Sequence, residues 1–293
     1  MAQHFTTIGL IGKQGEPSPG TALERISRFL RSQGVCVLIE ANTATRSPDL
    51  EIPPASLDEL GTRCDLIIVV GGDGTLLHAA RALCDHNVPL VGINLGRLGF
   101  LADISQQRML DTLGQILSGN YQEEERFLLG CEINGELHTA FNDVVIHKWN
   151  IARMIEFETY IDGSFVNAQR SDGMIVSTPT GSTAYALSGG GPLLHPWLNA
   201  IILVPICPHT LSNRPIVVGG DSEIELVVCG HTTIDEVRIT CDGQECLRPR
   251  GERIRIRKHQ SKVRLIHPRH HDHYDILRAK LGWGGHPASG YSK

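Results

Sequence analysis

Asp65-Leu66-Ile67-Ile68-Val69-Val70-Gly71-Gly72-Asp73-Gly74-Thr75-Leu76-Leu77 is the stretch that decides the fold. Leu66–Val70 is an unbroken apolar run, the signature of a strand buried on both faces. It ends in a glycine-acid-glycine turn, and a helix over Leu76–Asp85 follows. Glycines let the backbone bend tightly and come close to a phosphate. A helix N-terminus beyond them offers unpaired N–H groups and a positive dipole end. Asp73 stands at the carboxyl end of its strand, where open α/β sheets bind ligands. The helix end favours its charged form.

Two named nucleotide motifs fail on the letters. A P-loop needs a glycine, four residues and then Gly-Lys-Ser/Thr. The Gly12-Lys13 pair has Thr7 at the first-glycine position and Gln14 after the lysine. A dinucleotide fingerprint starting at Gly72 meets Leu77 where its third glycine belongs.

Working outward, Phe5–Ile11 and Val35–Glu40 are strands around a helix with a Thr21/Glu24 cap spacing and Gly34 at its end. A short helix over Ser56–Leu60 carries another Ser/Glu cap spacing, Pro89–Ile93 is a strand, and Asp103–Leu117 is a last helix. This alternation predicts an α/β N-terminal domain with a parallel sheet over 1–120. Beyond Gly119-Asn120 the pattern turns all-β. Strands over Arg126–Ile133 and Glu136–His147 flank Asn134-Gly135, and those over Met154–Ile161 and Ser164–Gln169 flank Asp162-Gly163. Both dipeptides are strong hairpin signals. Further strands fall at Ile201–Val204, Ile224–Cys229, Glu236–Thr240 and Ile254–Lys258, with a closing helix at Asp275–Leu281. The expectation is an all-β C-terminal domain over 121–293, with its last segment, about 270–293, returning to the first domain and a mobile glycine-rich end.

The 293 residues are 41% hydrophobic and 20% charged, an ordinary globular composition. A net charge of −5 gives no electrostatic footprint for nucleic acid. No apolar run reaches bilayer length, and the first residues lack the pattern of a secretory signal. The eight cysteines are scattered without a CxxC pair, Cys36 between Val35 and Val37. Free buried thiols of this kind suit a reducing, cytoplasmic setting better than a disulfide framework.

A second segment carries chemistry. Ser171-Asp172-Gly173 leads through Met174–Val176 into Ser177-Thr178-Pro179-Thr180-Gly181-Ser182-Thr183-Ala184-Tyr185-Ala186-Leu187-Ser188-Gly189-Gly190-Gly191-Pro192. A loop so dense in hydroxyls and glycines offers O–H and N–H donors to an anion. Tyr185 offers a flat face for an adenine ring. Asn142-Asp143 lies inside the apolar run Ala140–Ile146, where unpartnered polar groups are costly, so a ligand or a strand-end turn is expected there. Gly92-Ile93-Asn94-Leu95-Gly96-Arg97-Leu98-Gly99-Phe100-Leu101 follows a strand and is placed beside the glycine turn. For His267, His270, His271 and His273, spacing alone supplies no converging metal geometry, and no direct protein ligand to a metal is assigned.

The Asp65–Leu77 stretch resembles the GGDGT signature of NAD kinases, of diacylglycerol and sphingosine kinases and, more loosely, of phosphofructokinases. The Asp172–Pro192 run resembles the DGxxVSTPTGSTAYxLSxGGP signature of NAD kinases, with Gly189 in place of alanine. Asn142-Asp143 is similar to that family's Asn-Glu motif, aspartate replacing glutamate, and Gly92–Leu101 to its GINxGxLGFL segment. The resemblance covers about Ile8 to Trp283 and implies an ATP- or polyphosphate-dependent NAD kinase of bacterial type.

What it implies for the site is specific. Asp73 is the base toward the adenosine-ribose 2′-hydroxyl of NAD. Gly71, Gly72, Gly74 and Thr75 form the phosphate-donor loop. Asp73, Gly74, Phe100, Asn142, Asp143, Arg170, Asp172, Thr183, Ala184, Tyr185 and Ser188 bind NAD, with Arg170 bearing on the choice between NAD and NADH. It further implies Mg²⁺ or Mn²⁺ with ATP as donor, and a cytoplasmic homodimer or homotetramer bound to neither nucleic acid nor membrane. A lipid kinase of the same superfamily would show an apolar acceptor surface or membrane attachment. A nucleotide-sensing protein would bind NAD without turnover.

Overall fold

Every residue of Leu66–Gly71 is buried, and the rest of the first unit is arranged around that strand. The computed structural model describes residues 5–13, 20–96, 98–149, 153–210 and 212–283. They fall into two units, Met1–Glu125 with Val263–Lys293, and Arg126–Lys262.

In the first unit β1 (Thr7–Gly12), β2 (Cys36–Glu40), β3 (Pro54–Ala55), β4 (Leu66–Gly71) and β5 (Leu90–Asn94) lie parallel in the order β3-β2-β1-β4-β5. The two-residue β6 (Ile104–Ser105) pairs with β5. The strand order reverses between β1 and β4, so the chain leaves those strands in opposite directions and opens a crevice at their carboxyl ends. The helices are α1 (Gly20–Ser32), α2 (Ala41–Arg46), α3 (Leu57–Arg63), α4 (Asp73–Leu83) and α5 (Met109–Leu117). Ile26 and Leu30 of α1 and Leu113 and Ile116 of α5 pack with Leu10, Val37, Ile68 and Val91 in one core.

Some local signals hold and others do not; the helix expected over Asp103–Leu117 begins only at Met109, after the short strand Ile104–Ser105. Ser56 and Glu59 form the reciprocal capping box of α3, and Gly34 takes φ +77° after α1. α1 already contains Gly20 and Thr21, so Thr21–Glu24 is not its cap. Cys36 is exposed, because the first residue of β2 points away from the core that Val37 enters.

Among the described residues, the regular structure of the second unit is strand apart from the one-turn α6 (Tyr185–Ser188) and short 3₁₀ turns. Its strands are β7 (Tyr121–Ile133, entering from the first unit), β8 (Glu136–Ala140), β9 (Asp143–Lys148), β10 (Ile155–Ile161), β11 (Ser164–Ser171) and β12 (Gly173–Ser177). β13 (Ala200–Ile206), β14 (Ile216–Gly219), β15 (Ile224–Val228), β16 (Val237–Cys241), β17 (Glu245–Leu247) and β18 (Arg253–Pro268) follow. The turns at Asn134-Gly135 and Asp162-Gly163 have all four residues at positive φ, the primed geometry that suits a hairpin's twist.

Six strands form an antiparallel sheet in the order β14-β13-β12-β9-β16-β17. Its strands alternate between two apolar layers with the two-residue period of a strand. Val144, Ile146, Met174, Val176, Ile201 and Leu203 face a core shared with β7, β10, β15 and β18. Val145, Ile175, Ile202 and Val204 face the other way, against Ala186 of α6.

The single strand expected over Glu136–His147 is two. β8 pairs with β7, whereas β9 belongs to the six-stranded sheet, and the chain breaks between them at Phe141-Asn142. The last strand is also longer than expected, 16 residues from Arg253 to Pro268. Its Val263–Pro268 end lies in the first unit, where Leu265 pairs in parallel with Leu90. α7 (His273–Leu281) follows, capped by Asp272, which accepts the Tyr274 N–H at 2.8 Å. The glycine-rich end expected to be mobile lies outside the described residues. Among the described residues no helix is long and apolar enough to cross a membrane.

Candidate active site

Asp73 is the first residue of α4, directly beyond β4. Its carboxylate accepts three backbone N–H groups, from Phe100 at 2.8 Å and from Leu101 and Ala102 at 3.0 Å each. A carboxylate has about four acceptor positions, so about one is left for a ligand hydroxyl. The segment that binds it turns back on itself, Gly99 N–H donating to Ala102 C=O at 3.1 Å. A Cβ at Gly99 would stand 2.0 Å from Asp73 Oδ1, so this turn admits only glycine. The Phe100 ring is half-buried, with the Lys280 ammonium 5.5 Å from its centre.

The glycines beside Asp73 are not kept there by a left-handed backbone. None of Gly71, Gly72 and Gly74 has positive φ, and Gly72 is extended at φ −141° and ψ −172°. A Cβ on Gly71 would strike Thr75 Oγ1 at 2.4 Å, which makes Gly71 a packing residue. At Gly72 and Gly74 a Cβ would meet nothing within 4 Å. Those two leave open space at a helix N-terminus, as an incoming phosphate requires.

In the second unit the break at Phe141-Asn142 has a definite cause. The Asp242 carboxylate accepts the N–H of Phe141 at 2.9 Å, Asn142 at 2.7 Å and Asp143 at 3.1 Å. Cys241 pairs with Val144 across β16 and β9, which sets Asp242 beside Asp143. Charge-assisted bonds of this kind are about twice as strong as neutral ones, and they hold the chain as it passes between sheets. Asp143 is itself 4% exposed. Burial and then the charge of Asp242 push its carboxyl up to about 7.

The hydroxyl-rich loop turns inward. Ser177, Thr178 and Ser182 are fully buried. Thr178 Oγ1 donates to Phe141 C=O at 2.7 Å, Ser177 Oγ to Asn142 C=O at 3.2 Å and Ser182 Oγ to Pro179 C=O at 2.6 Å. Thr183 Oγ1 donates to Thr180 C=O at 3.1 Å, and Thr180 Oγ1 accepts from the Arg126 guanidinium at 3.1 Å. A Cβ on Gly181 would lie 2.2 Å from the Asn142 carbonyl oxygen. The expected row of anion donors is therefore a scaffold that fixes the Asn142 backbone and presents Ala184 and Tyr185.

A cavity of about 490 Å³ opens on the outer face of the six-stranded sheet. Val145 and its cross-strand partner Thr240 lie on its floor, with Asn142, Asp143, Asp172, Ala184, Tyr185 and Asp242 around them. Tyr185 is 47% exposed, its ring available to a ligand. Asp172 forms a 2.6 Å ion pair with Lys148. Of the NAD-binding residues expected here, Asn142, Asp143, Asp172, Ala184 and Tyr185 line this cavity, while Thr183, Ser188 and Arg170 do not. Arg170 pairs with Glu156 at 3.1 Å and lines a separate cavity with Arg153 and His231.

A family model described as the ATP-NAD kinase N-terminal domain matches residues 8–121, and one described as the C-terminal domain matches 141–268. The chain belongs to the NAD kinase family. Relatives named NAD kinase from Nitrosococcus oceani and Teredinibacter turnerae are 51% and 52% identical over 290 residues, covering 97% of this chain and 99% of each relative. Among solved structures, yeast NADH kinase complexed with NADH aligns at TM-score 0.86 and 25% identity, over 98% of this chain and 90% of that one. An NAD kinase from Archaeoglobus fulgidus in complex with ATP aligns at 0.73 and 27%, over 94% and 98%. Membership makes the chain a phosphotransferase that uses ATP.

Four polar residues of this NAD kinase family member's cavity were not singled out by its sequence, His147, Lys148, Thr240 and Asp242. Asp242-Gly243 is a turn dipeptide at positive φ between β16 and β17, so its letters carry only a hairpin signal. The histidines of the last segment divide. His267 and His271 converge in the first unit, whereas His270 and His273 stay outside the cluster. His267 Nδ1 and His271 Nδ1 lie 2.9 and 2.6 Å from Asp103 Oδ2, and His267 Nε2 lies 2.8 Å from Glu124 Oε1. Burial lowers the His267 pKa, but the hydrogen bonds to Asp103 and Glu124 outweigh it and raise the group to about 9.

Proposed function

We propose that the chain transfers the γ-phosphoryl group of ATP to the adenosine-ribose 2′-hydroxyl of NAD, giving NADP and ADP. The observation that carries this reading is the Asp73 carboxylate, fixed by three N–H groups and flanked by the open positions at Gly72 and Gly74. Its remaining acceptor position takes the 2′-O–H. The oxygen–phosphorus bond to the ribose forms as the bond to the β-phosphate oxygen breaks, and the proton passes toward Asp73. Phosphoryl transfer depends chiefly on positioning and charge stabilisation, so aiming the hydroxyl matters as much as taking its proton.

In this reading Gly71, Gly72, Gly74 and Thr75 frame the donor phosphates. Asn142, Ala184 and Tyr185 hold the adenosine half of NAD, Thr183 and Ser188 belong to the turn that presents Ala184 and Tyr185, and Asp172 with Ala184 holds the nicotinamide amide. Phe100 contacts the dinucleotide, and Arg170, which lines the separate cavity with Glu156, bears on the choice between NAD and NADH from there. Mg²⁺ or Mn²⁺, when bound, would neutralise part of the negative charge of the donor phosphates. These ions take oxygen ligands, and among the described residues the Asp143 carboxyl reaches the cavity without a hydrogen-bond donor, which fits a cation there. A cytoplasmic homodimer or homotetramer is part of the same proposal; Trp197 and Leu198, 74% and 48% exposed, offer it apolar surface.

Purified protein incubated with NAD, ATP and Mg²⁺ tests the reading, with NADP followed by an NADP-specific dehydrogenase. NADP formation that requires all three supports it; binding of NAD with no product makes the chain a sensor instead.

A further inference from the structure

We infer that Asp103, His267 and His271 form a binding site for a zinc-type transition-metal ion, separate from the Mg²⁺ or Mn²⁺ of the phosphoryl transfer. His267 is buried and the other two are largely covered, the side chains of Asp103, His267 and His271 being 7%, 3% and 10% exposed. They come from three places in the first unit: the residue before β6, the end of β18 and the turn before α7. One ligand atom from each lies within 4.8 Å of the others, and the two imidazole rings stack 4.0 Å apart.

Three features favour an ion over a hydrogen-bonded cluster. Both Nδ1 atoms crowd one oxygen, Asp103 Oδ2, while the buried Oδ1 of the same carboxylate has no hydrogen-bond partner. Glu124 holds the far nitrogen of His267, the outer carboxylate that a metal-bound histidine usually has, which orients Nδ1 toward Asp103 and the ion position. A cavity of about 220 Å³, lined by Asp103 and His271, gives water access for a fourth ligand.

Two imidazole nitrogens and one carboxylate oxygen suit Zn²⁺ and are a poor set for Mg²⁺ or Ca²⁺. Tetrahedral donors about 2.0 Å from the ion stand about 3.3 Å apart. The Asp103 oxygen therefore draws back by about 0.4 Å from His267 Nδ1 and about 0.7 Å from His271 Nδ1 on binding, and the ion displaces the Nδ1 proton of each histidine. Asp103 follows directly on Leu101 and Ala102, whose N–H groups hold Asp73. The ion would tie the end of β18 and the turn before α7 to that segment.

The test uses the full chain, free of any affinity tag, stripped with a chelator and dialysed into buffer with excess Mg²⁺ and no nucleotide. Titrated Zn²⁺ should bind at one equivalent per chain and raise Tm, and Co²⁺ should give the visible absorption of a low-symmetry nitrogen–oxygen site. Asp103→Asn and His271→Ala should each weaken Zn²⁺ binding at least about a hundredfold, and Glu124→Gln about 10–100-fold. His270→Ala should leave it unchanged. Failure of the wild-type chain to retain stoichiometric Zn²⁺ overturns the proposal, as does equal binding by wild type and His271→Ala. If one variant does not fold, the wild-type stoichiometry and the Co²⁺ spectrum decide alone.

Discussion

The Asp242 carboxylate grips the backbone N–H of Asn142 at 2.7 Å, reaching across 100 positions of sequence to do so. Because the same carboxylate also takes the Phe141 and Asp143 amides, Asp242→Ala strands three donors at once. We expect a loss of about 2–4 kcal/mol of stability and a rise in KM for NAD of at least tenfold. Chemical denaturation and steady-state kinetics measure the two; unchanged KM would detach the Asn142 backbone from NAD binding.

Asp73→Asn keeps one acceptor oxygen but loses the negative charge and the second. Turnover should fall about 10²–10⁴-fold, the range for a positioned proton acceptor, while NAD still binds by calorimetry. A variant with near-normal kcat removes Asp73 from the chemistry.

Gly99→Ala tests the same carboxylate without touching it. The added methyl carbon would occupy space 2.0 Å from Asp73 Oδ1 and must displace either the carboxylate or its turn. We expect kcat to drop at least tenfold with KM for NAD within about threefold of wild type, since the cavity residues of the second unit are untouched. Equal losses in kcat and in thermal stability of the whole chain would point to general misfolding instead.

Asp143 makes stability depend on pH. Its folded-state pKa, about 7, lies above the ordinary 3.8 because the site is dry and faces Asp242. Between about pH 4 and 7 the folded chain holds this proton more tightly than the unfolded one, so this contribution is full below the lower value and declines as pH rises through 7. Asp143→Asn removes the dependence. The variant's Tm should exceed that of wild type at pH 7.5, and the gap should close toward pH 4; a gap that widens on acidification would contradict the assignment.

Local rules were readable in the letters wherever a few neighbouring residues decide the outcome. Asn134-Gly135, Asp162-Gly163 and the Ser56/Glu59 box behave as their types dictate. The α/β and all-β halves follow from a change of apolar period that no distant contact has to rescue. What escaped were features fixed at long range. Glu136–His147 reads as one strand, because nothing near Phe141 announces that Asp242 will break it. Ser177, Thr178 and Ser182 look like exposed donors until Phe141, Asn142 and Pro179 supply carbonyls for them. Asp73 was visible as an acceptor, yet the donors that orient it come from Phe100–Ala102, on a loop whose shape composition cannot give.

The doubly covered middle strands of the six-stranded sheet, β12 and β13, carry an evolutionary consequence. With apolar neighbours above and below, their interior positions have little room to change. Drift toward a different acceptor must therefore accumulate at the strand ends and in the segments capping them. A library confined to Asn142, Lys148, Asp172, Ala184, Tyr185 and Thr240 would sample most of that freedom while leaving the framework intact.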